Sequence, residues 1–326
     1  MWVPARSLPD MMGEDPMEIV TDKSMADSIA SDFAVFGPVH LDVTDGERAL
    51  RHWRDLIGLE LLAESDSVLD LGAGGHGLLV LHPGATAPLP REYSGLYHLA
   101  FHLPSLGEFA RVVARLAASG YHHYPTDHLT HFADYVDDPD GNGLELVFET
   151  PERYGEVRIG PDGPELLDAE GIPRSGRDPI DLDWLFSHLP DDDLQTGLPA
   201  GTIVGHIHLR AANLPESLAY YRDLIGFTTN MDGSGMGMFD MSAGGTFPHR
   251  LACNNWESAG RGQRPAGASG LRYFTLAPRR PEDVAAIVAR LESAGRAVER
   301  QGNEVVAIDP SGTRLVLTVQ DAAMNG

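Results

Sequence analysis

Apolar and polar positions alternate in two periods along the chain. A period of two marks short strands, and a stripe at helical spacing marks the helices between them. Residues 37–59 read GPVHLDVTDGERALRHWRDLIGL and residues 205–227 read GHIHLRAANLPESLAYYRDLIGF, with RDLIG intact at Arg54–Gly58 and Arg222–Gly226. Each segment predicts a strand, a polar turn, a helix carrying Ala49, Leu50, Trp53 and Ile57 on one stripe, and a glycine stop at Gly58. A second pair of segments follows: SGLYHLAFHLP (94–104) matches SGLRYFTLAPR (269–279), and DPDGNGLEL (138–146) matches DPSGTRLVL (309–317). The Asp-Pro-x-Gly stretches are turn chemistry leading into a strand.

Each half therefore holds two units, and each unit reads strand, helix, three strands. In the first unit these are Val39–Val43, Gly46–Gly58, Glu60–Glu64, Ser67–Gly72 and Gly77–His82. In the second they are Tyr97–Leu103, Leu106–Ser119, His122–Pro125, Phe132–Asp137 and Gly143–Glu149. The expected organisation is an N-terminal tail over 1–34 with a short helix near Ser28–Phe33, a first paired-unit domain over 35–150, a linker over 151–201 and a second domain over 202–322. The linker is rich in Pro, Asp and Gly. Its DPIDLDWLFSHL stretch predicts one short helix, begun by Asp178 or Asp181.

Three residues fall at repeat-defined strand positions of the first half. His40 opens unit one, His98 opens unit two and Glu145 closes unit two. Two neutral imidazoles and a carboxylate converging on one cleft leave coordination positions open, the facial arrangement of non-haem Fe(II) chemistry. His98, Ala100 and His102 share one strand face, while Leu99 and Phe101 share the other. In the second half His208 matches His40, Tyr273 stands at the His98 position and Val316 at the Glu145 position, and valine cannot ligate. That half is expected to be structural or to close over a substrate, with His249 and Arg250 near the cleft. GAGGHG at 72–77 precedes a strand rather than a helix, so it reads as a tight turn and not as a nucleotide loop.

Composition narrows the partners. The 326 residues include 24 Lys and Arg and 48 Asp and Glu, a formal net charge of −24. A phosphate-backbone binder needs a cationic surface, so nucleic acid is not an expected partner, and neither is an anionic membrane. Cys253 stands alone, which removes disulfides within the chain and cysteine-based zinc sites and fits a cytoplasmic protein. No apolar run reaches the ~20 residues of a membrane span.

These segments (VHLDV…RDLIGLELL, LGAGGHGLLVLHPG, GLYHLAFHLPS, DHLTHFADYVDDPDGNGLEL, LPAGTIVGHIHLRAANLPESLAYYRDLIGF and NNWES) resemble the vicinal oxygen chelate superfamily. Within it they are similar to the two-domain extradiol ring-cleavage dioxygenases of the bacterial catechol 2,3-dioxygenase type. The resemblance covers Phe36 to Val319. It implies an α+β fold of four βαβββ modules paired into two domains, an Fe(II) centre with Mn(II) as substitute, and a catechol-like aromatic and O2 as substrates. It also implies an acid/base and a polar group beside the metal. His128 matches a family histidine and Tyr135, ten residues before Glu145, a family tyrosine; His131 is the alternative to His128. In much-studied relatives the metal lies in the second domain, whereas the matching residues here stand in the first. Relatives also include glyoxalase-type isomerases, which add a fourth ligand that GLLVLHPG lacks, and non-catalytic binding proteins, which need no triad. Related proteins often associate, which leaves a homo-oligomer open.

Overall fold

A computed structural model of the protein describes residues 28–160, 163–302 and 304–318. Of the short helix expected near Ser28–Phe33, Ser28 and Ile29 are helical and Ala30 and Ser31 form a turn. The first unit comprises strand β1 (Ala34–Val43), a helix α1 from Gly46 to Leu56, β2 (Glu60–Ser65), β3 (Val68–Ala73) and β4 (His76–Pro83). The second comprises β5 (Gly95–His102), α2 (Leu106–Ser119), β6 (Tyr124–Asp127), β7 (His131–Asp137) and β8 (Gly143–Glu149). The expected linker carries its own structure: β9 (Tyr154–Gly160), β10 (Gly163–Asp168) and β11 (Pro173–Arg174) form a small sheet, and β12 (Asp178–Pro179) joins β6. Helix α3 (Leu182–Phe186) follows, capped by the Asp181 carboxylate, which accepts from the Asp183 and Trp184 amides.

The third unit comprises β13 (Ile203–Arg210), a helix α4 from Leu214 to Ile225, β14 (Thr228–Gly233), β15 (Met238–Ser242) and β16 (Leu251–Asn254). The fourth comprises β17 (Gly270–Pro278), α5 (Pro281–Ser293), β18 (Val298–Gln301), β19 (Glu304–Ile308) and β20 (Arg314–Leu317).

The fold is α+β with four βαβββ units in two large sheets, but consecutive units do not pair. The eight-stranded sheet runs β18-β19-β20-β17-β1-β4-β3-β2, and the nine-stranded sheet runs β12-β6-β7-β8-β5-β13-β16-β15-β14. The first unit thus joins the fourth through β1 and β17, and the second joins the third through β5 and β13. Each sheet takes one unit from each half, so the boundary expected between sequence halves does not separate the sheets.

The helices tie the units together. The second half of α1 (Arg51–Leu56) and of α4 (Tyr220–Ile225) is π-helical, seen in the bonds Ile57 N–H to His52 O and Gly226 N–H to Tyr221 O. The RDLIG repeat thus encodes a bulge twice. Gly58 ends the first at φ +97°, and a Cβ there would lie 2.7 Å from Arg115 Nη2. Arg115 on α2 donates to Ile57 O, as Arg290 on α5 donates to Ile225 O. Trp53, fully buried, packs edge-on against Phe101 at 6.2 Å between ring centres, so α1 reaches the other sheet's apolar face. Among the described residues, no helix is long and apolar enough to cross a membrane.

Candidate metal centre

Register assembles the site. In the nine-stranded sheet Tyr135 lies opposite Glu145, Glu145 beside Ala100, and Ala100 opposite His206. Four strands therefore carry these residues in one row. His98 lies two residues before Ala100, opposite His208. Side chains two apart share a face, so His98, Glu145 and His206 converge, with the small Ala100 between them.

His98 Nε2 and His206 Nε2 each lie 2.9 Å from Glu145 Oε2, and 3.2 Å from each other. All three side chains are buried. Adjacent donors about 2.1 Å from an octahedral ion are separated by about 3.0 Å, so this trio fits one small divalent cation.

The structure brings together two members of the expected triad, His98 and Glu145, and places the third elsewhere. His40 is in the eight-stranded sheet, where Nδ1 lies 3.0 Å from His82 Nε2 and the ring stacks on Tyr273 at 3.9 Å. The reason is a two-residue offset. His40 lies beside Val80 just as His208 lies beside Ala252 and Ala100 beside Glu145. The ligand position is two residues earlier, at Pro38, His206 and His98 respectively. The eight-stranded sheet therefore places Pro38, Tyr273, Val80 and Val316 where a site would need donors, Thr275 beside Val316 being the fourth unit's counterpart of Ala100. The same relation exchanges Glu145 with Ala252 across the β5–β13 seam. A methyl group thus stands where a fourth ligand would come from.

The proton inventory asks for a cation. Burial pushes the Glu149 carboxyl up, but Arg250 and a hydrogen bond from His102 outweigh it and hold it at about 2. Burial pushes His102 down to about 4, so it is a neutral ring at pH 7. His102 Nδ1–H then donates to Glu149 Oε1 at 2.6 Å, which leaves its Nε2 to accept from His206 Nδ1–H at 2.8 Å. Burial holds His206 well below its ordinary value as well. Its Nε2 is thus a bare lone pair facing a carboxylate oxygen. Glu145 is an anion: burial raises its carboxyl, but the rings of His206 and His98 and the hydrogen bond from His131 hold it well below the usual range. A lone pair against a carboxylate is repulsive unless a cation lies between them.

Seven of the fourteen histidines surround this point: His98, His102, His128, His131, His206, His208 and His249. Of the residues expected to act beside the metal, His131 Nε2–H donates to Glu145 Oε1 at 3.0 Å and its Nδ1 lies 2.8 Å from Thr130 Oγ1. It holds the carboxylate with Oε2 turned to the histidines. His128 Nδ1–H donates to Gly176 O at 2.6 Å, so its Nε2 accepts from Tyr135 Oη–H at 2.8 Å. Burial, then His131, pushes His128 down to about 4, which makes it an acceptor rather than an acid at neutral pH. Burial and Glu145 push the Tyr135 phenol well above its ordinary value.

Sequence reasoning passed over His206 and placed His249 only near the cleft, without a role. The signal for His206 was the spacing of two in GHIHLR, which puts both histidines on one strand face. His249 sits 4.9 Å from the His206 ring centre, and its Nδ1–H donates to Asp240 Oδ2 at 2.9 Å. Burial disfavours its charge, but the hydrogen bond and charge of Asp240 outweigh that and raise its pKa. Beside His98 stand Tyr97 and His208, and Trp256 packs against both, with Tyr97 ring-centre distances of 5.6 Å to Trp256 and 4.7 Å to His208.

Comparison with known proteins agrees with this fold. Residues 36–146 match the Glyoxalase/Bleomycin resistance protein/Dioxygenase superfamily. A catechol-2,3-dioxygenase of Bacillus subtilis (strain 168) is 31% identical over 287 residues, spanning 87% of this chain and 96% of the relative. Among solved structures, a putative dioxygenase of Bacillus subtilis subsp. subtilis str. 168 has a TM-score of 0.58 at 15% identity, over 89% of this chain and 86% of that one. Glyoxalase I of Zea mays has a TM-score of 0.51 at 15% identity, over 88% and 93%.

Proposed function

We propose that this chain, which belongs to the vicinal oxygen chelate superfamily of glyoxalases and dioxygenases, is an extradiol dioxygenase that opens a catechol-like ring with O2. The observation that carries the reading is the set His98, Glu145 and His206 with Ala252 at the fourth position: three protein donors and no fourth. The named dioxygenase relative supports an enzyme of this superfamily, and such relatives imply a metal cofactor. Held by these three residues, Fe(II), or Mn(II) in its place, would supply the Lewis-acid and redox chemistry for a substrate with two neighbouring hydroxyls and for dioxygen.

The chain's own residues do the rest. His249 Nε2 takes the proton of a substrate hydroxyl, and Asp240 holds the resulting imidazolium from the Nδ1 side. Tyr135 and His128 share one hydrogen between Oη and Nε2 in the row that carries Glu145, and can lend it to an oxygen of the opening ring. His131 keeps Glu145 Oε1 occupied. Tyr97, Trp256 and His208 offer aromatic faces to a planar substrate.

The test is oxygen uptake by anaerobically iron-loaded protein given catechol. The reading expects about one O2 consumed per catechol and an absorbing, ring-opened product. Metal-loaded protein that consumes no oxygen with catechol or substituted catechols would refute it.

A further inference from the structure

The hydrogen-bond chain behind His206 does not stop at Glu149. Arg250 Nη1 donates to Glu149 Oε1 at 2.6 Å and to Gly205 O at 3.2 Å. Its Nε donates to Asp32 Oδ2 at 2.9 Å, and its Nη2 to Ser28 Oγ at 3.0 Å. The guanidinium also lies over the Phe247 ring, 4.7 Å from its centre. Asp32 Oδ1 accepts from Gly245 N–H at 2.7 Å, which fixes the aspartate in turn. Ser28, Asp32, Arg250, Glu149 and His102 are all buried. The sequence leaves room for the chain where it is tightest: a Cβ at Gly205 would lie 2.0 Å from His102 Cγ, so only glycine admits the ring there.

Resting on the metal-centre reading above, we propose that the N-terminal turn at Ser28–Asp32 is a working part of the centre. Through Arg250, Glu149 and His102 it keeps the proton of His206 on Nδ1 and so leaves Nε2 bare for the metal.

The argument is one of partners. A histidine ligand is oriented by the bond its other nitrogen makes, and such outer partners act on metal affinity. His102 accepts at Nε2 only while Glu149 takes its Nδ1–H. Glu149 stays aimed at His102 because one guanidinium is divided between it and Asp32. Two carboxylates on one arginine leave the outer end of the chain net negative, which favours the proton running outward from His206. Asp32 and Ser28 lie at least 70 residues from any other link. The turn is therefore an addition to the four repeated units, recruited to one site.

The test uses the full chain, stripped of metal and titrated with Mn(II), with free Mn(II) read by electron paramagnetic resonance. Histidine 15N resonances of the metal-free protein report the His206 tautomer. Circular dichroism checks the fold of each variant. Glu149→Gln is expected to weaken Mn(II) binding by about 10–100-fold, and Asp32→Asn, one link further out, by about 3–10-fold. The double variant should be no weaker than Glu149→Gln alone, because Asp32 acts through Glu149. The Nδ1–H signature of His206 should give way to a mixture in both singles. Should Asp32→Asn not fold, Ser28→Ala takes its place, with a smaller shift in the same direction. Wild-type affinity and tautomer in the outer variants, with Mn(II) still bound by wild type, would overturn this proposal alone. Wild-type protein that binds no Mn(II) would overturn the metal-centre reading and this proposal with it.

Discussion

His52 makes the fold sensitive to acid in a way that can be worked through. It sits in the π-helical part of α1, 3% exposed, wedged between Trp53 and Tyr121, and neither ring nitrogen has a partner. Burial pushes its pKa down to about 3 from an ordinary 6.5. The unfolded chain therefore takes up a proton below pH 6.5 that the folded chain refuses until about pH 3. Stability is whole above pH 6.5 and falls as pH drops through that window. At about 1.4 kcal/mol per pH unit, the loss is about 2 kcal/mol at pH 5 and about 5 kcal/mol once pH reaches 3. His52→Leu removes the titration and two unsatisfied polar atoms while keeping apolar volume. It should stabilise the protein by about 1–2 kcal/mol at pH 7.5 and by about 3–4 kcal/mol at pH 5. Urea unfolding of both proteins at the two pH values measures this. A stabilisation that does not grow between pH 7.5 and pH 5 would refute the reasoning, because it would mean that His52 is not a neutral, unpartnered ring in the fold.

Two further outcomes follow from the site. Asp240→Asn removes the charge that raises the pKa of His249, so turnover should fall by about 10²–10⁴-fold and the acid limb of the rate profile should move to lower pH; steady-state rates from pH 5 to 9 check both, and an unmoved limb would remove His249 from the mechanism. Ala252→Glu supplies the mate of Glu145, so metal should bind more tightly while oxygen uptake with catechol is lost; calorimetry with Mn(II) and an oxygen electrode decide it.

Much of the fold is legible in the chain because the repeats mark it twice. Helix α2 and strand β8 match the expected bounds at Leu106–Ser119 and Gly143–Glu149, each set by a cap or a turn whose chemistry is local. Ser105 Oγ accepts from Glu108 N–H at 3.3 Å, and Gly120 closes the helix at φ +67°. The π-helical turns were not legible, since an extra residue in a helix leaves the apolar stripe nearly unchanged. Nor was the sheet formed by β9, β10 and β11, whose strands are short and interrupted by glycine and proline.

The pairing of units was hidden for a different reason. A strand edge carries no local mark of which partner covers it, so β1 could join β5 or β17 on pattern alone. That ambiguity carried into the site. With consecutive units paired, His40 is the natural partner of His98. With the second unit paired to the third, the partner comes from GHIHLR, and register selects His206 over His208. Glu145 and His98 lie together because both belong to the same unit, whose internal pairing the turn Asp138–Asn142 dictates.

The central claim is that the metal is held across the β5–β13 seam, by His98 and Glu145 from one half and His206 from the other. Metal content per chain, measured on iron-loaded protein handled without oxygen, tests it when wild type is set beside His206→Ala and His40→Ala. The account predicts about one iron per chain in wild type and in His40→Ala, and none in His206→Ala. Loss of iron from His40→Ala with retention in His206→Ala would contradict it.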